Sequence, residues 1–592
     1  MKQLPRLFQV QKDNDVPSGG FRWRYNSVCI ALIGLIVLGI LVQMYRWQVT
    51  YHEAFAETAR IQHLVNSRLP SSRGTIYAAD GSVLAVDQPL WAVFASLSSD
   101  ERERVRFDSQ RELYIATVSR ILELDSDTID ALLTEDFRYV LLRRDVTNEE
   151  KLALEREGLF GLYFEEEEKR MYPHGKLASH VIGFVGKDEH GADVGNYGLE
   201  GYYAGDLLGV AGFHYEEKDS RGNVILTGEY DPLLPRQGKN IVLTIRPGLQ
   251  MRVEELLEKG VKKHEAKSGS AIVMDPRTGE ILAMANYPSY DPGHYYRETN
   301  PEVFRNKAIS DVYEYGSVNK VLTISSALEE KVITSETICS DTTGSIDVLD
   351  FTIYTWNKKP SGDLLPKDIL RLSNNVCAVK TAEKLGIERN YEYLRKFGIG
   401  DFIGIGLQDE ATSYLPPLEK WNILDLASSS FGQAISATPL QILSAIATVA
   451  NDGTRMRPYI VKGIYDEHER IDIHPEVVEH VLSKETARDV ARMMESVVRE
   501  GDAKWWFDRI PQYSIAGKTG TAQIPYEDRY GYYDDRTNVT FVGFSPVHDA
   551  QMIMIVRLEE PKTHTLSSYT VVPVWGEIFE GIALDLGLVP TR

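Results

Sequence analysis

Apolar residues are most densely concentrated in one segment near the N-terminus. Residues 27–45 read SVCIALIGLIVLGILVQMY, 19 positions without a charged side chain, and this is about the length that a helix needs to cross a bilayer. Arg22 and Arg24 precede the segment, and Trp23 and Trp47 flank it, as basic and aromatic residues do at membrane interfaces. The run is long for a signal peptide and no small-x-small cleavage pattern follows it, so the pattern predicts one uncleaved transmembrane anchor.

The basic residues around this segment favour one orientation. Three lie within about 20 residues before it and two within about 20 after it, namely Lys12, Arg22 and Arg24, then Arg46 and Arg60. This modest excess favours an N-terminus in the cytoplasm. We therefore expect a cytoplasmic tail at residues 1–26 and nearly the whole chain on the outer side of the cytoplasmic membrane.

Beyond the anchor, strand-like and helix-like patterns are arranged in blocks. Helical periodicity covers residues 51–69, 247–263 and 370–385, and the residues around Asp80-Gly81 predict a β-hairpin. Continuous apolar runs at residues 270–275 and 280–285 predict a hairpin whose strands are covered on both faces, and further strands are predicted at residues 513–522, 538–544 and 551–558. Early strands, middle helices and late strands predict an α+β fold with an antiparallel sheet.

A domain boundary is predicted at residues 231–238, DPLLPRQG, which are rich in turn-forming residues. One extracytoplasmic domain would then occupy residues 46–235 and a second residues 236–592, a division that suits a chain of 592 residues. The formal net charge of -21 argues against nucleic acid as the main partner. The sequence contains no H-E-x-x-H or paired C-x-x-C spacing, so neither a metal nor another cofactor is expected.

The chain has three cysteines, too few for a disulfide framework. Cys29 lies in the predicted anchor, which leaves Cys339 and Cys377 outside it. These two could pair in an oxidising compartment. Two unpaired buried thiols are the favoured interpretation.

The stretch VYEYGSVNKVL at residues 312–322 places Ser317 and Lys320 at the start of a predicted helix. A spacing of three puts both side chains on the same side of that helix. The lysine amine can act as a base for the serine hydroxyl if burial or nearby positive charge lowers its pKa. Taken alone, however, the pattern is more typical of a helix cap with a lysine nearby.

Ser373-Asn-Asn375 follows and offers a hydroxyl for proton relay and an amide for a substrate carbonyl. A lone S-x-N is usually a cap or a turn. The strand-like SIAGKTGTAQ at residues 514–523 then provides a third element.

In this third element, Lys518 adds positive charge that would help to keep Lys320 neutral. Gly520 would let a substrate backbone lie close to the strand, while Thr519 and Thr521 supply hydroxyls for a carboxylate. No G-x-x-x-x-G leads into the Lys-Thr-Gly, which argues against a phosphate loop.

The order S-x-x-K, S-x-N, K-T-G resembles that of the class B penicillin-binding proteins, which are monofunctional peptidoglycan D,D-transpeptidases. Further segments fit the same family: RGTIY at 73–77, RMYP at 170–173, ASHVIG at 178–183, GLE at 198–200, NYPSYDP at 286–292, GQAISATPLQ at 432–441 and FVGFSP at 541–546. The resemblance thus covers nearly the whole chain.

The resemblance implies a fold: an antiparallel five-stranded sheet with helices on both faces plus an all-helical subdomain, an elongated N-terminal pedestal domain and one transmembrane helix. It also implies that Ser317 is acylated by stem peptides ending in D-Ala-D-Ala, or by β-lactams, with Lys320 as the base. Ser373 and Asn375 would serve in proton relay and peptide binding. The terminal carboxylate would be bound by Lys518, Thr519 and Thr521, and backbone N–H groups of Ser317 and Thr521 would form the oxyanion hole.

The chain departs from the family pattern at three places, none of which removes a reacting group. Tyr315 stands where the family usually has proline before Gly-Ser. Val318-Asn319 replaces a commoner Thr/Ala-Phe/Met pair, and Ser-Asn-Asn replaces Ser-Ser-Asn. Asn319, beside the nucleophile, is expected to affect the affinity for β-lactams.

Other functions were weighed against this one. A bifunctional enzyme would need a glycosyltransferase domain, but residues 49–237 show no matching acidic motif. A β-lactamase, a β-lactam sensor and an inactive scaffold remain alternatives, as does an elongation-type transpeptidase. The compact pedestal and the end of the chain soon after the last strand favour the cell-division type of transpeptidase. Its expected partners are a polytopic membrane glycosyltransferase and divisome proteins.

Overall fold

A computed structural model describes residues 20–52, 64–69, 71–97, 101–133, 139–217, 233–526, 528, 529 and 531–590. The chain forms two compact units. The first consists of Met1–Pro70 and Ala211–Pro235, and the second of Ser71–Val210 and Arg236–Arg592.

The helices are, in chain order, α1 (Gly20–Tyr45), α2 (Glu101–Asp108), α3 (Arg111–Leu122), α4 (Ser126–Leu132), α5 (Asn148–Glu157), α6 (Ser179–Ile182), α7 (Gly198–Tyr202), α8 (Ala204–Leu207), α9 (Pro247–Lys263), α10 (Lys307–Ser310), α11 (Asn319–Glu329), α12 (Pro366–Leu372), α13 (Asn375–Leu385), α14 (Ile387–Lys396), α15 (Ile423–Ser429), α16 (Pro439–Ala450), α17 (Lys484–Glu500), α18 (Lys504–Phe507) and α19 (Val571–Ile582).

The strands are β1 (Leu64–Leu69), β2 (Ile76–Tyr77), β3 (Val83–Ser96), β4 (Tyr139–Val146), β5 (Leu162–Met171), β6 (Phe184–Lys187), β7 (Asp193–Asn196), β8 (Gly212–Glu217), β9 (Asn240–Leu243), β10 (Ser268–Met274), β11 (Ile281–Tyr287), β12 (Cys339–Asp341), β13 (Ser345–Val348), β14 (Phe351–Tyr354), β15 (Gly362–Leu364), β16 (Thr454–Met456), β17 (Val461–Tyr465), β18 (Arg470–Asp472), β19 (Val477–His480), β20 (Ala516–Pro525), β21 (Tyr532–Ser545) and β22 (Met552–Glu559).

The predicted apolar segment forms helix α1, which continues into a π-helical turn at Arg46–Thr50. The stretch Val28–Thr50 is long and apolar enough to cross a membrane, and its side chains are exposed. The helix predicted over residues 51–69 is wrong at its C-terminal end, because Leu64–Leu69 is strand β1 and pairs with β8. Residues 53–63 of that prediction lie outside the described part of the chain.

A seven-stranded sheet has the order β18-β17-β9-β2-β3-β4, and β5 also pairs with β3. Strands β2 and β3 are the predicted hairpin around Asp80-Gly81. Strand β9 pairs parallel with β2 and antiparallel with β17. The sheet therefore joins segments from both sides of the predicted boundary at residues 231–238.

A buried ion-pair network connects three of the family-like segments beside this sheet. Glu200 of GLE is fully buried, and its two oxygens each lie 2.6 Å from an arginine Nε, that of Arg73 in RGTIY and that of Arg170 in RMYP. Arg170 Nη1 also lies 3.0 Å from Asp87 Oδ1. Because buried charges require partners, this network holds the three segments together in the fold.

The second sheet is antiparallel throughout, with the order β11-β10-β22-β21-β20. Alternate residues of its strands face opposite sides, so Ala271 and Val273 pack with α9 and α19 while Ile272 and Met274 pack with α11, α16 and α17. Both faces are covered, as the continuous apolar runs predicted. The predicted five-stranded sheet with helices on both faces is confirmed, and β20 forms one edge of it.

Candidate active site

Ser317 lies in a single 3-10 turn, Gly316–Val318, directly before α11. Gly316 has a φ of 56°, and a Cβ at this position would lie 2.8 Å from the carbonyl oxygen of Thr521. The glycine therefore allows the turn to approach strand β20 closely. Ser317 is half-buried at the point where the turn and the strand meet.

Lys320 is fully buried one turn later, and its Nζ atom is surrounded by oxygens. Ser317 Oγ lies 2.8 Å from it, and Asn375 Oδ1 lies 2.6 Å from it. The carbonyl oxygen of Ser373 lies at 2.7 Å and its hydroxyl oxygen at 3.1 Å. The structure thus brings Lys320 of the first motif into contact with Ser373 and Asn375 of the second, which follow it by 53 and 55 positions along the chain.

The second motif lies at a break between two helices, which corrects the single helix predicted over residues 370–385. Helix α12 ends at Leu372, Ser373 adopts a left-handed φ of 55°, and α13 begins at Asn375. The cause is Asn374, whose side chain caps α13 by accepting a hydrogen bond from the Cys377 amide at 2.8 Å. The break places both oxygens of Ser373 within hydrogen-bond distance of Lys320.

Cys339 and Cys377 form a disulfide, so the favoured interpretation of two unpaired thiols was wrong. Asn374 Nδ2 donates to Asp341 Oδ2 at 2.8 Å, and this contact brings strand β12 to the start of α13. The two cysteine Cα atoms are 5.9 Å apart as a result, within the range that a disulfide requires.

The third motif lies on the edge strand β20. Lys518 is fully buried, and its Nζ atom lies 3.3 Å from Ser373 Oγ. The Ser373 hydroxyl is therefore within reach of both lysine amines, at 3.1 Å from Lys320 and 3.3 Å from Lys518.

Burial dominates the electrostatics of both amines. It lowers the pKa of Lys320 well below the usual value, and the charge of Lys518 lowers this pKa further. Burial also lowers the pKa of Lys518 to about 7. The predicted effect of Lys518 on Lys320 has the expected direction, but desolvation is the larger cause.

Two of the oxygens around Lys320 can only accept hydrogen bonds, namely the Ser373 carbonyl and Asn375 Oδ1. A neutral amine has two N–H bonds and one lone pair, so these acceptors use both of its hydrogens. The lone pair is then left for a hydroxyl that donates, and Ser317 Oγ is nearer than Ser373 Oγ. The geometry suits Lys320 as a base toward Ser317.

The remaining residues of the third motif have different contacts. Thr519 Oγ1 lies 3.3 Å from Lys518 Nζ, and Thr521 Oγ1 lies 2.7 Å from the hydroxyl of Ser567. A Cβ at Gly520 would lie 2.6 Å from the carbonyl oxygen of Tyr315. Gly520 therefore allows strand β20 to pack closely against Tyr315, two residues before the nucleophile.

Two residues that sequence reasoning missed make contacts at the site. Ser567 donates to the Gly520 carbonyl and bonds the Thr521 hydroxyl. The carbonyl of Tyr354 accepts from Asn375 Nδ2 at 2.7 Å. Neither belongs to a recognisable motif, and a main-chain acceptor leaves no signal in the sequence.

No group of three or more His, Cys, Asp or Glu side chains that could hold a metal ion is present among the described residues. The polar groups of the site are amines, amides and hydroxyls. This donor set is suited to acyl transfer through a serine.

Comparison with known families identifies two regions. The family described as "Penicillin binding protein transpeptidase domain" matches residues 269–580, and the family described as "Penicillin-binding Protein dimerisation domain" matches residues 68–243.

Several named proteins are similar over most of the chain. Stage V sporulation protein D of Bacillus subtilis is 32% identical over 76% of this chain and 69% of its own length. Probable peptidoglycan D,D-transpeptidase PenA of Neisseria gonorrhoeae is 30% identical over 100% of this chain and 97% of its own. Peptidoglycan D,D-transpeptidase FtsI of Escherichia coli is 28% identical over 98% of this chain and 95% of its own length.

Solved structures are similar as well. Penicillin Binding Protein 2X of Streptococcus thermophilus superposes with a TM-score of 0.74 at 26% identity, covering 88% of this chain and 81% of that one. Penicillin binding protein 3 of Mycobacterium tuberculosis, in complex with aztreonam, superposes with a TM-score of 0.66 at 23% identity, covering 89% of this chain and 99% of that one. The second likeness shows a shared fold.

Proposed function

The chain belongs to the class B penicillin-binding proteins, and we propose that it is a peptidoglycan D,D-transpeptidase that acts through an acyl-enzyme on Ser317. The observation that carries this proposal is the environment of Lys320, a buried amine of lowered pKa with Ser317 Oγ 2.8 Å away. Relatives named peptidoglycan D,D-transpeptidase support the same reaction.

In the proposed acylation, Lys320 takes the proton of Ser317 as Oγ attacks the carbonyl carbon of the penultimate D-Ala. The C–N bond to the terminal D-Ala then breaks, and its nitrogen receives a proton through the Ser373 hydroxyl, which both amines contact. An amine from a second stem peptide attacks the ester and releases Ser317, forming the cross-link. A β-lactam would acylate the same oxygen by opening its ring.

The proposed oxyanion hole consists of the backbone N–H groups of Ser317 and Thr521. The carbonyl of Thr521 faces Gly316 across the free edge of β20. In a strand, the N–H and C=O of one residue point to the same side, so the N–H of Thr521 also faces the nucleophile's turn. Two such donors would stabilise the negative oxygen of the tetrahedral intermediate.

The terminal carboxylate of the donor peptide is assigned to Lys518, Thr519 and Thr521. Burial lowers the pKa of Lys518 to about 7, and a bound carboxylate would raise this pKa by favouring the charged form. Asn375 and Ser373 would hold the peptide and relay the proton. Gly520 would keep the strand close to Tyr315.

The cellular role is proposed from the anchor and the relatives. Helix α1 would hold the protein in the cytoplasmic membrane with residues 1–26 inside, a pedestal at residues 46–235 and the transpeptidase at 236–592 outside. The relative named FtsI favours septal synthesis. A polytopic membrane glycosyltransferase and divisome proteins would be the partners. Depletion should then give filaments, whereas rounded cells would indicate an elongation role.

Labelling with a fluorescent penicillin tests the assignment of the nucleophile. The Ser317→Ala variant should lose the label entirely. Ser326→Ala is a matched control, because its hydroxyl bonds only the Leu322 carbonyl of its own helix among the described contacts; it should label normally. Retained labelling of Ser317→Ala would overturn the assignment.

The alternatives are separated by the fate of the acyl-enzyme. A transpeptidase should transfer a D-Ala-terminated peptide to an added amine, and its penicilloyl ester should persist for many minutes. Rapid release of hydrolysed penicillin would instead indicate a β-lactamase. Labelling without any peptide transfer would indicate a sensor or scaffold.

A further inference from the structure

Two of the positions that depart from the family pattern lie on either side of the nucleophile and touch each other. Tyr315 and Asn319 are 1% and 0% exposed, and the tyrosine hydroxyl donates to Asn319 Oδ1 at 2.9 Å. This bond spans Ser317, because it joins the second residue before it to the second residue after it. The two departures therefore form one buried polar pair.

The pair belongs to a closed ring of hydrogen bonds. Asn319 Nδ2 donates to the carbonyl of Ser429 at 2.5 Å. The amide of Gly432 donates to the same carbonyl at 2.9 Å, and the Gly432 carbonyl accepts from the amide of Gly316 at 3.1 Å. Because Gly316 follows Tyr315 in the chain, these contacts close around the nucleophile's turn.

The ring attaches both ends of that turn to one support, the C-terminal end of α15 and the residues that follow it. The backbone bond from Gly316 fixes only the end before Ser317. The end after it is held by Asn319, through a side chain that Tyr315 orients, and one turn further along α11 the Thr323 hydroxyl donates to the Ser430 carbonyl at 2.9 Å. A Cβ at Gly432 would lie 2.1 Å from the Gly316 carbonyl oxygen, so the support and the turn are in direct backbone contact.

We infer that Tyr315 and Asn319 are positioning residues that hold Ser317 for acylation. This role rests on the proposed function. A proline at position 315 would restrict the turn through its own ring, whereas in this chain a hydrogen-bonded ring supplies the restriction. The inference also accounts for both departures together, since an apolar residue at 319 would leave the Tyr315 hydroxyl without an acceptor in a buried site.

The test starts from Tyr315→Phe, which removes one hydroxyl and leaves Asn319 Oδ1 without its donor. We expect the acylation rate constant for a fluorescent penicillin to fall about tenfold, while the constant for the preceding non-covalent complex stays unchanged. Stopped-flow measurements over a range of penicillin concentrations separate the two constants. Tyr313→Phe is the matched control, because its hydroxyl bonds Thr540 at 2.8 Å in a buried site outside the ring.

A second variant separates positioning from packing. Tyr315→Phe combined with Asn319→Leu removes both polar partners, so no buried group is left unsatisfied and the melting temperature should recover relative to the single variant. The acylation rate constant should remain low, because the link to Ser429 is lost. Tyr313→Phe should lose stability without a fall in this rate constant.

Recovery of acylation in the double variant along with its melting temperature would overturn the positioning role and leave the proposed function intact. An unaltered protein that takes no label at Ser317 would overturn the proposed function, and the positioning role with it. The two failures are thus distinguished by the unaltered protein alone.

Discussion

Asn375 Oδ1 lies 2.6 Å from Lys320 Nζ, so the residue at position 375 can influence whether the Lys320 amine is protonated. Asn375→Asp would place a carboxylate there, and an opposite charge at this distance raises an amine pKa by about 1–3 units. We expect acylation at pH 7 to slow and its acidic limb to move to higher pH by that amount. The measurement is the acylation rate of a fluorescent penicillin against pH.

Asn375→Ala is the control for this prediction. It removes the acceptor without adding charge, so acylation should slow without an upward move of the acidic limb. An unchanged limb in Asn375→Asp would show that a group other than Lys320 titrates in this step.

Lys518 should make the folded protein less stable near neutral pH than an apolar residue would. Its pKa is about 7 when folded, against the ordinary 10.5, so between these values the unfolded chain binds more protons and stability rises with pH. Lys518→Met should therefore be more stable than the unaltered protein at pH 7 by a few kcal/mol, at about 1.4 kcal/mol per pKa unit. Unfolding in urea at pH 7 and pH 10 checks this.

The increase in the free energy of unfolding caused by Lys518→Met should become smaller toward pH 10. Acylation of this variant should be strongly reduced at both pH 7 and pH 10. A gain that is equal at pH 7 and pH 10 would contradict the lowered pKa and would point to packing instead.

Glu200 should contribute to stability through two buried ion pairs. Removal of one partner leaves a buried charge uncompensated, which costs about 3–5 kcal/mol, so Glu200→Gln should lower the free energy of unfolding by that order. Glu157→Gln is the control, because its pair with Arg120 is exposed and such pairs contribute about 0–1 kcal/mol. Equal effects of the two substitutions in urea unfolding would refute the prediction.

The bond between Cys339 and Cys377 should stabilise the protein by about 2–4 kcal/mol, since it closes a loop of 38 residues in the unfolded chain. The pair of substitutions Cys339→Ser and Cys377→Ser should lower the free energy of unfolding by this amount. In the unaltered protein, thiol titration after denaturation should find one free thiol, that of Cys29, and three after reduction. Three free thiols before reduction would contradict the pairing.

Much of the fold was predictable because its signals are local. The anchor and strands β10 and β11 follow from uninterrupted apolar runs, and the hairpin of β2 and β3 follows from Asp80-Gly81. Strand β1 was missed because its pairing partner, β8, lies about 150 residues further along the chain. A strand that depends on a distant partner has no complete signal in its own residues.

The site was predictable as a set of residues but not in its arrangement. The order of the three motifs indicated Ser317, Lys320 and Lys518, and the structure brings their side chains to a common centre. The left-handed turn at Ser373 could not be predicted, because the sequence does not distinguish an asparagine that caps a helix from a polar residue inside one. The ring around Tyr315 depends on carbonyls from residues more than 100 positions away, which no local pattern can reveal.

The seven-stranded sheet has a practical consequence for expressing the enzyme. A recombinant fragment that starts at residue 236 would retain β9 and β17 but lose β2, β3 and β4, so β9 would gain an open edge along Ile241 and Val242, which pair with β2 in the intact sheet. Exposed strand edges promote aggregation. A soluble fragment should therefore begin upstream of Arg73, so that the strands needed to complete this sheet are kept.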